Sequence, residues 1–174
     1  MSRKASLEAI KALREKTSAS LNDVRAALES SGGDERQALE LLRARGAAIA
    51  QRRQGRATGQ GRVEAYVHHD GRMGALVEVD CETDFVARTP EFQQFCRDVA
   101  MHVAALSPSY LQAEDVPPAD RPPGEVTTLC LLEQPFVKDP ATTIKDLMKA
   151  LIAKTGENVV IRRFAKFGIG EVGS

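Results

Sequence analysis

The chain has 174 residues, 43% of them apolar, with 24 basic and 24 acidic side chains. That length suits one domain of ordinary size, or one domain with a small appendage, and the apolar share is enough for a packed core. Zero net charge argues against a strongly basic nucleic-acid binder and against a highly charged disordered tail.

The start, MSRKASLEAIKALREK, is charged and carries no signal-peptide pattern. Leu7, Ile10 and Leu13 recur at helical spacing and predict a first helix. Ser20 opens SLND, a capping-box-like start. Leu21, Val24, Ala27 and Leu28 then form the stripe of a second helix. SSGGD breaks the chain, with Asp34 as the N-cap of a third helix. That helix carries Leu39, Leu41 and Leu42 and is predicted to end at Gly46. Residues 1–46 thus read as a three-helix module with one small shared core.

Residues 47–61, AAIAQRRQGRATGQG, read as a basic linker that opens like a helix and closes in glycine. No acid stands between Glu40 and Glu64, and residues 1–60 carry net +5 against −5 for the rest. Arg52 and Arg53 therefore face an acidic protein surface, phosphates, or simply water.

Residues 62–174 change period. EAYVHH and MGALVEV are strand-like runs joined by Asp70-Gly71, a strong hairpin signal. Thr89-Pro90 begins a long helix with Phe92, Phe95, Val99 and Val103 on one side, proline suiting its first turn. Residues 107–124 hold five prolines and predict a loop without regular structure. EVTTLCLLEQ predicts a third strand, QPFVKDP a loop, TIKDLMKALIAKTG a helix and NVVIRRFAKF the last strand. The predicted fold class is α+β: three N-terminal helices, then a small antiparallel sheet with helices on one face.

No run approaches the ~18 apolar residues of a membrane span. Cys81, Cys96 and Cys130 are odd in number and widely spaced. They fit neither a disulfide framework nor a zinc pair, and point to a reducing cytoplasm. Catalytic patterns are missing. His68-His69-Asp70 lacks a further ligand, and adjacent strand residues point to opposite faces. His102 reads as a core-edge histidine. GRATGQG lacks the lysine and context of a phosphate loop. With no Trp and few aromatics, stacking on single-stranded nucleic acid is not indicated.

One stretch stands apart. In VEVDCETDFVAR a strand gives out and sets Asp84 beside Phe85. Either Phe85 folds back into the core while Asp84 caps the next helix, or the pair is presented to another molecule.

Three segments, LREKTSASLNDVRAALESSGGDERQALELLRARGA, VEVDCETDFVAR, and LLEQPFVKDP with GENVVIRRFAKF, resemble the elongation factor Ts family in order along nearly the whole chain. The resemblance implies a ubiquitin-associated-like N-terminal domain and a core domain with an antiparallel sheet. It implies a cytoplasmic exchange factor for the GTPase elongation factor Tu, with no enzyme active site and no cofactor, beside the residue-level readings above of no metal, no nucleic acid and no membrane. It places Asp84 and Phe85, flanked by Thr83 and Val86, near the GTPase's magnesium and phosphate site. It also implies contacts through Leu13, Leu21 and Arg25. Short members resemble proteins that pair through the sheet. Here that predicts a non-covalent homodimer covering Val77, Val79, Leu131 and Val160, without a cysteine where Ala165 stands. The chain departs from the family in Ser18 and Ser20 for glycines, Arg25 for lysine and Asp80 for asparagine. The proline-rich residues 107–124 replace a longer helical stretch. Competing readings are a relative without exchange activity and a peptide- or ubiquitin-like-binding adaptor using the three-helix domain.

Overall fold

Three helices open the chain, α1 (Leu7–Thr17), α2 (Leu21–Ser30) and α3 (Glu35–Arg53). The computed structural model describes residues 6–17, 19–120 and 126–171, so Ser18 lies outside the described residues. Ser20 and Asp34 are the N-caps, accepting from Asp23 N at 3.1 Å and Gln37 N at 2.9 Å. These bonds satisfy amides that have no partner inside a helix. Ile10, Leu13, Val24, Ala27, Leu28, Ala38 and Leu42 form the core of this module.

The third helix does not end at Gly46. It runs on to Arg53, and its true stop is Gly55, which takes the left-handed φ of 83° that glycine adopts without strain. Gly46 is buried and faces Ala153 and the Lys149 carbonyl. It is a close-packing residue, not a terminator. The linker expected over 47–61 shrinks to residues 54–59, because β1 already begins at Gln60.

The chain divides into two units, one of residues 1–56 with 149–158, the other of residues 57–148 with 159–174. The second unit is built on a three-stranded antiparallel sheet of β1 (Gln60–Val67), β2 (Met73–Cys81) and β5 (Val159–Gly168), with β2 in the middle. The hairpin between β1 and β2 turns where Asp70-Gly71 predicts it: Gly71 has φ 68°, and His68 N donates to Met73 O at 2.8 Å. Ala75, Val77, Val79 and Cys81 alternate inward along β2 and meet Val159 and Ile161 of β5. Helix α5 (Pro90–Leu106) supplies Phe92, Phe95, Val99 and Val103 to the same core.

The register slips beside Val79, so that Arg162 has no partner on β2. This bulge lets two consecutive arginines face outward. Arg162 Nε meets Asp80 Oδ2 at 2.8 Å and Arg163 pairs with Glu78. Asp80 thus has a cation of its own.

Two elements differ from expectation. EVTTLCLLEQ is not a strand: Val126–Leu129 forms one helical turn, α6, and Glu125 lies outside the described residues. Cys130, Leu131 and Leu132 are then all buried in succession, which no half-exposed strand allows. Only a single parallel bridge joins Cys130 to Tyr110. QPFVKDP is not an open loop but a tight hairpin of β3 (Pro135–Phe136) and β4 (Asp139–Thr143), leading into α7 (Ile144–Thr155). The proline-rich stretch holds two single-turn 3-10 segments, Ala113–Asp115 and Pro118–Asp120.

His102 lies fully inside, not at the core edge. Its Nδ1 accepts from Val137 N at 3.3 Å, leaving the hydrogen on Nε2, 2.8 Å from Gln134 Oε1. Burial lowers its pKa from the ordinary 6.5, with the Gln134 bond a smaller opposing influence. The neutral ring therefore pins the β3–β4 hairpin to α5.

The sheet surface expected to need cover is already covered. Val77, Val79 and Leu131 are buried within the chain, whereas Val160, opposite Asp80, alternates outward and is half-buried. The exposed apolar side chains stand on the opposite face: Val63 and Val67 of β1, Leu76 of β2 and Phe167 of β5.

Candidate partner-binding site

At the end of β2 the chain turns into α4 (Asp84–Ala87), a helix of only four residues. Thr83, not Asp84, is its N-cap, accepting from Val86 N at 3.4 Å. The Cys81 thiol donates to Thr83 O at 3.1 Å and ties the cap to the strand. Val86 is buried and anchors the turn from below. Thr89 caps the next helix. Neither half of the core-directed alternative is met, since Asp84 caps nothing and Phe85 is 80% exposed.

Asp84 Oδ2 instead meets Arg88 Nη2 at 3.0 Å, with the arginine largely in water and the carboxylate about half exposed. An exposed pair at this i,i+4 spacing is worth only ~0.3–0.5 kcal/mol, so the carboxylate is cheaply released to a stronger partner. The four residues Thr83 to Val86 therefore divide their work. Thr83 and Val86 hold the turn, while Asp84 and Phe85 stand outside it.

The other expected contacts lie in the first unit. Leu13 corrects the expectation: at 1% exposure it is a core residue of the three-helix module and offers no surface to a partner. Leu21 is 44% exposed and stands one helical turn from the exposed Arg25, so the two share a face of α2. Leu21 also borders a groove of about 320 Å³ with Leu42, Arg45, Ile49 and Ala153, where Arg45 pairs with Asp23 at 2.9 Å. Arg52 is exposed and Arg53 half-buried in the last turn of α3.

The remaining chemistry-bearing residues are accounted for by structure. The two hairpin histidines do not point apart, because both lie past the end of β1. Their ring centroids are 4.2 Å apart, and His68 Nδ1 is 3.0 Å from Tyr66 Oη. Among the described residues no three His, Cys, Asp or Glu side chains are grouped to hold a metal. Asp70 Oδ1 accepts from Arg72 N, a bond that lowers its pKa. All three cysteines are buried thiols outside any disulfide. Desolvation pushes the Cys96 thiol up to about 12, the reverse of a reactive thiolate. No described helix is long and apolar enough to cross a membrane. Sequence reasoning missed Thr89 and Arg88, whose bonds to α4 depend on how the turn closes. The only hint was the pairing of Thr89 with a proline at a helix start.

A family model described as Elongation factor TS matches residues 4–120. The chain is 46% identical to the elongation factor Ts of Rubrobacter xylanophilus, over 92% of its own length and 97% of the relative's. It is 44% identical to that of Carboxydothermus hydrogenoformans, over 93% and 88% of the two chains. With that of Caldanaerobacter subterraneus it shares 42% identity over 95% and 97%.

Proposed function

The chain belongs to the elongation factor Ts family of translation elongation factors, and from that membership we propose that it binds elongation factor Tu and promotes release of GDP by presenting Asp84 and Phe85 to the GTPase domain near its magnesium and phosphate site. The observation that carries this reading is Phe85, 80% exposed on a short helix that is capped and anchored from below. Covering such a side chain in a partner is worth ~1.5–3 kcal/mol. That free energy is kept for the complex because folding does not use it. The neighbouring carboxylate brings a negative charge where it competes with phosphate oxygens for a cation or repels them.

Exchange requires no bond-making by this chain, so the reading needs neither a cofactor nor an enzyme active site. It requires only that the nucleotide-free partner be bound more tightly than the GDP-bound one; GDP must then weaken factor binding by the same ratio. Leu21 and Arg25 supply a second contact from the first unit, with Arg52 and Arg53 as further cationic contacts. The factor works in the cytoplasm. It pairs as a non-covalent homodimer through the outer sheet face that carries Val63, Val67, Leu76 and Phe167. Release of a fluorescent GDP analogue from elongation factor Tu, followed with increasing amounts of the chain, tests the proposal. Acceleration that saturates is the expected result, and an unchanged release rate at every concentration refutes it.

A further inference from the structure

We propose that Thr89 is a positioning residue for the exchange element, fixing the short helix that carries Phe85 to the long helix behind it. The inference rests on the reading of Phe85 given above. The Thr89 side chain stands between α4 and α5 and bonds to both. Its hydroxyl donates to Val86 O at 2.8 Å and accepts from Phe92 N at 3.3 Å. Its own amide donates to the same Val86 oxygen at 3.0 Å. Thr89 is thus the N-cap of α5 and a clamp on α4 through one hydroxyl, which can donate and accept at once.

A four-residue helix cannot hold its own shape. A first helical turn fixes three residues for a single hydrogen bond and is unfavourable alone. The geometry of α4 is therefore set from outside, by Thr83 at one end and Thr89 at the other. With 80% of Phe85 uncovered, packing does little to orient the ring. Its direction is inherited from the α4 backbone. Helix α5 has seventeen residues and much of its length buried, so it is the rigid member of the pair. Thr89 passes that rigidity to Phe85.

Three substitutions separate this role from simple capping. Thr89→Val keeps the shape and loses both hydroxyl bonds. Thr89→Asp keeps an acceptor for Phe92 N but, ionised, has no proton to give Val86 O. Thr89→Ser keeps both. Thr143→Val is the control: Thr143 Oγ1 accepts from Asp146 N at 3.1 Å at the start of α7, a cap of the same kind in the same unit. Melting temperature and stimulated GDP release from elongation factor Tu are measured for each, well below every melting point. Thr89→Val and Thr143→Val should melt similarly early. Thr89→Val should slow exchange about fivefold, the equivalent of one lost hydrogen bond of about 1 kcal/mol. Thr143→Val should stay within twofold of wild type. Thr89→Ser should restore exchange, and Thr89→Asp should melt normally yet exchange slowly. Should Thr89→Val not fold, Thr89→Asp decides alone. Thr89→Val and Thr89→Asp proteins that exchange within twofold of Thr143→Val, while Phe85→Ala is slow, overturn the positioning role. A fully active Phe85→Ala overturns instead the reading on which it rests.

Discussion

Cutting Phe85 back to alanine separates a side chain that works in a partner from one that works in the fold. Only about a fifth of Phe85 is covered in the free chain. Taking that fraction of the ~1.5–3 kcal/mol for burying a whole phenylalanine leaves about 0.3–0.6 kcal/mol of lost stability. At this chain length 1 kcal/mol moves the melting point by about 2–4 °C, so the expected shift is about 1–2 °C. Phe92, fully buried in α5, is the internal comparison. The same substitution there removes about 3–5 kcal/mol and shifts melting by roughly 6–20 °C. Exchange should show the reverse order. If the ring is covered in the complex, its loss removes most of ~1.5–3 kcal/mol of binding, or roughly a ten- to hundredfold drop in stimulated GDP release. Thermal melting and fluorescent GDP release on the two variants give the answer. A Phe85→Ala protein that melts as early as Phe92→Ala, or one that is stable and fully active, refutes the reasoning.

Other consequences are equally open to measurement. His102 is neutral and buried with a lowered pKa, so its contribution to stability is complete above the ordinary value of 6.5. It is lost as pH falls from there toward the lowered folded value, because the unfolded chain takes up the proton first, with a slope of at most about 1.4 kcal/mol per pH unit. Denaturant unfolding between pH 7 and pH 5 should show this fall in the wild type and less of it in His102→Gln. The buried cysteines should not react with a thiol reagent until the chain unfolds, and a rapid native-state reaction at Cys96 would contradict its raised pKa. A Cβ on Gly46 meets Ala153 Cβ at 3.7 Å, an ordinary contact, so Gly46→Ala should raise stability by up to about 1 kcal/mol through helix propensity. On Gly61 a Cβ falls 2.3 Å from Val79 O, so Gly61→Ala should instead lower stability by about 1–3 kcal/mol. Phe167→Asp on the outer sheet face should convert a sedimenting dimer to monomer and remove the dependence of melting on protein concentration. A wild-type monomer at all concentrations, or a dimer dissolved by reductant, would contradict the proposed pairing.

The elements with strong, unmixed signals were legible from residues alone. Ser20, Asp34 and Thr89 cap the helices that they announce, and Asp70-Gly71 makes its hairpin. Misreadings arose where one residue type serves two purposes. A glycine ends a helix or lets two backbones approach, and Gly46 does the second while Gly55 does the first. Val126, Thr127 and Thr128 favour strands, yet among the described residues no strand pairs with them and they close one helical turn instead. Leu13 and Leu21 are alike in the sequence, and only the packing of three helices shows that one is inside and the other at the surface. On the sheet, alternation separates two faces but does not say which one a helix covers. Val77 and Val79 went under α5, leaving Leu76 outside. The oddness of Asp84 beside Phe85 was visible in the sequence. The use of Thr83 as cap and the pairing of Asp84 with Arg88 were not, because both depend on how a four-residue turn closes.

Exchange by this chain is a coupling between its own binding and that of GDP on one GTPase, and both sides of that coupling can be measured. The affinity of the chain for elongation factor Tu is determined with the nucleotide removed and again with GDP saturating. The affinity of the GTPase for GDP is then determined with and without the chain. The chain should bind the nucleotide-free form more tightly, by the same factor by which it weakens GDP binding, with that factor reduced in Phe85→Ala. Equal affinity for the two forms would contradict this coupling, however tightly the chain binds.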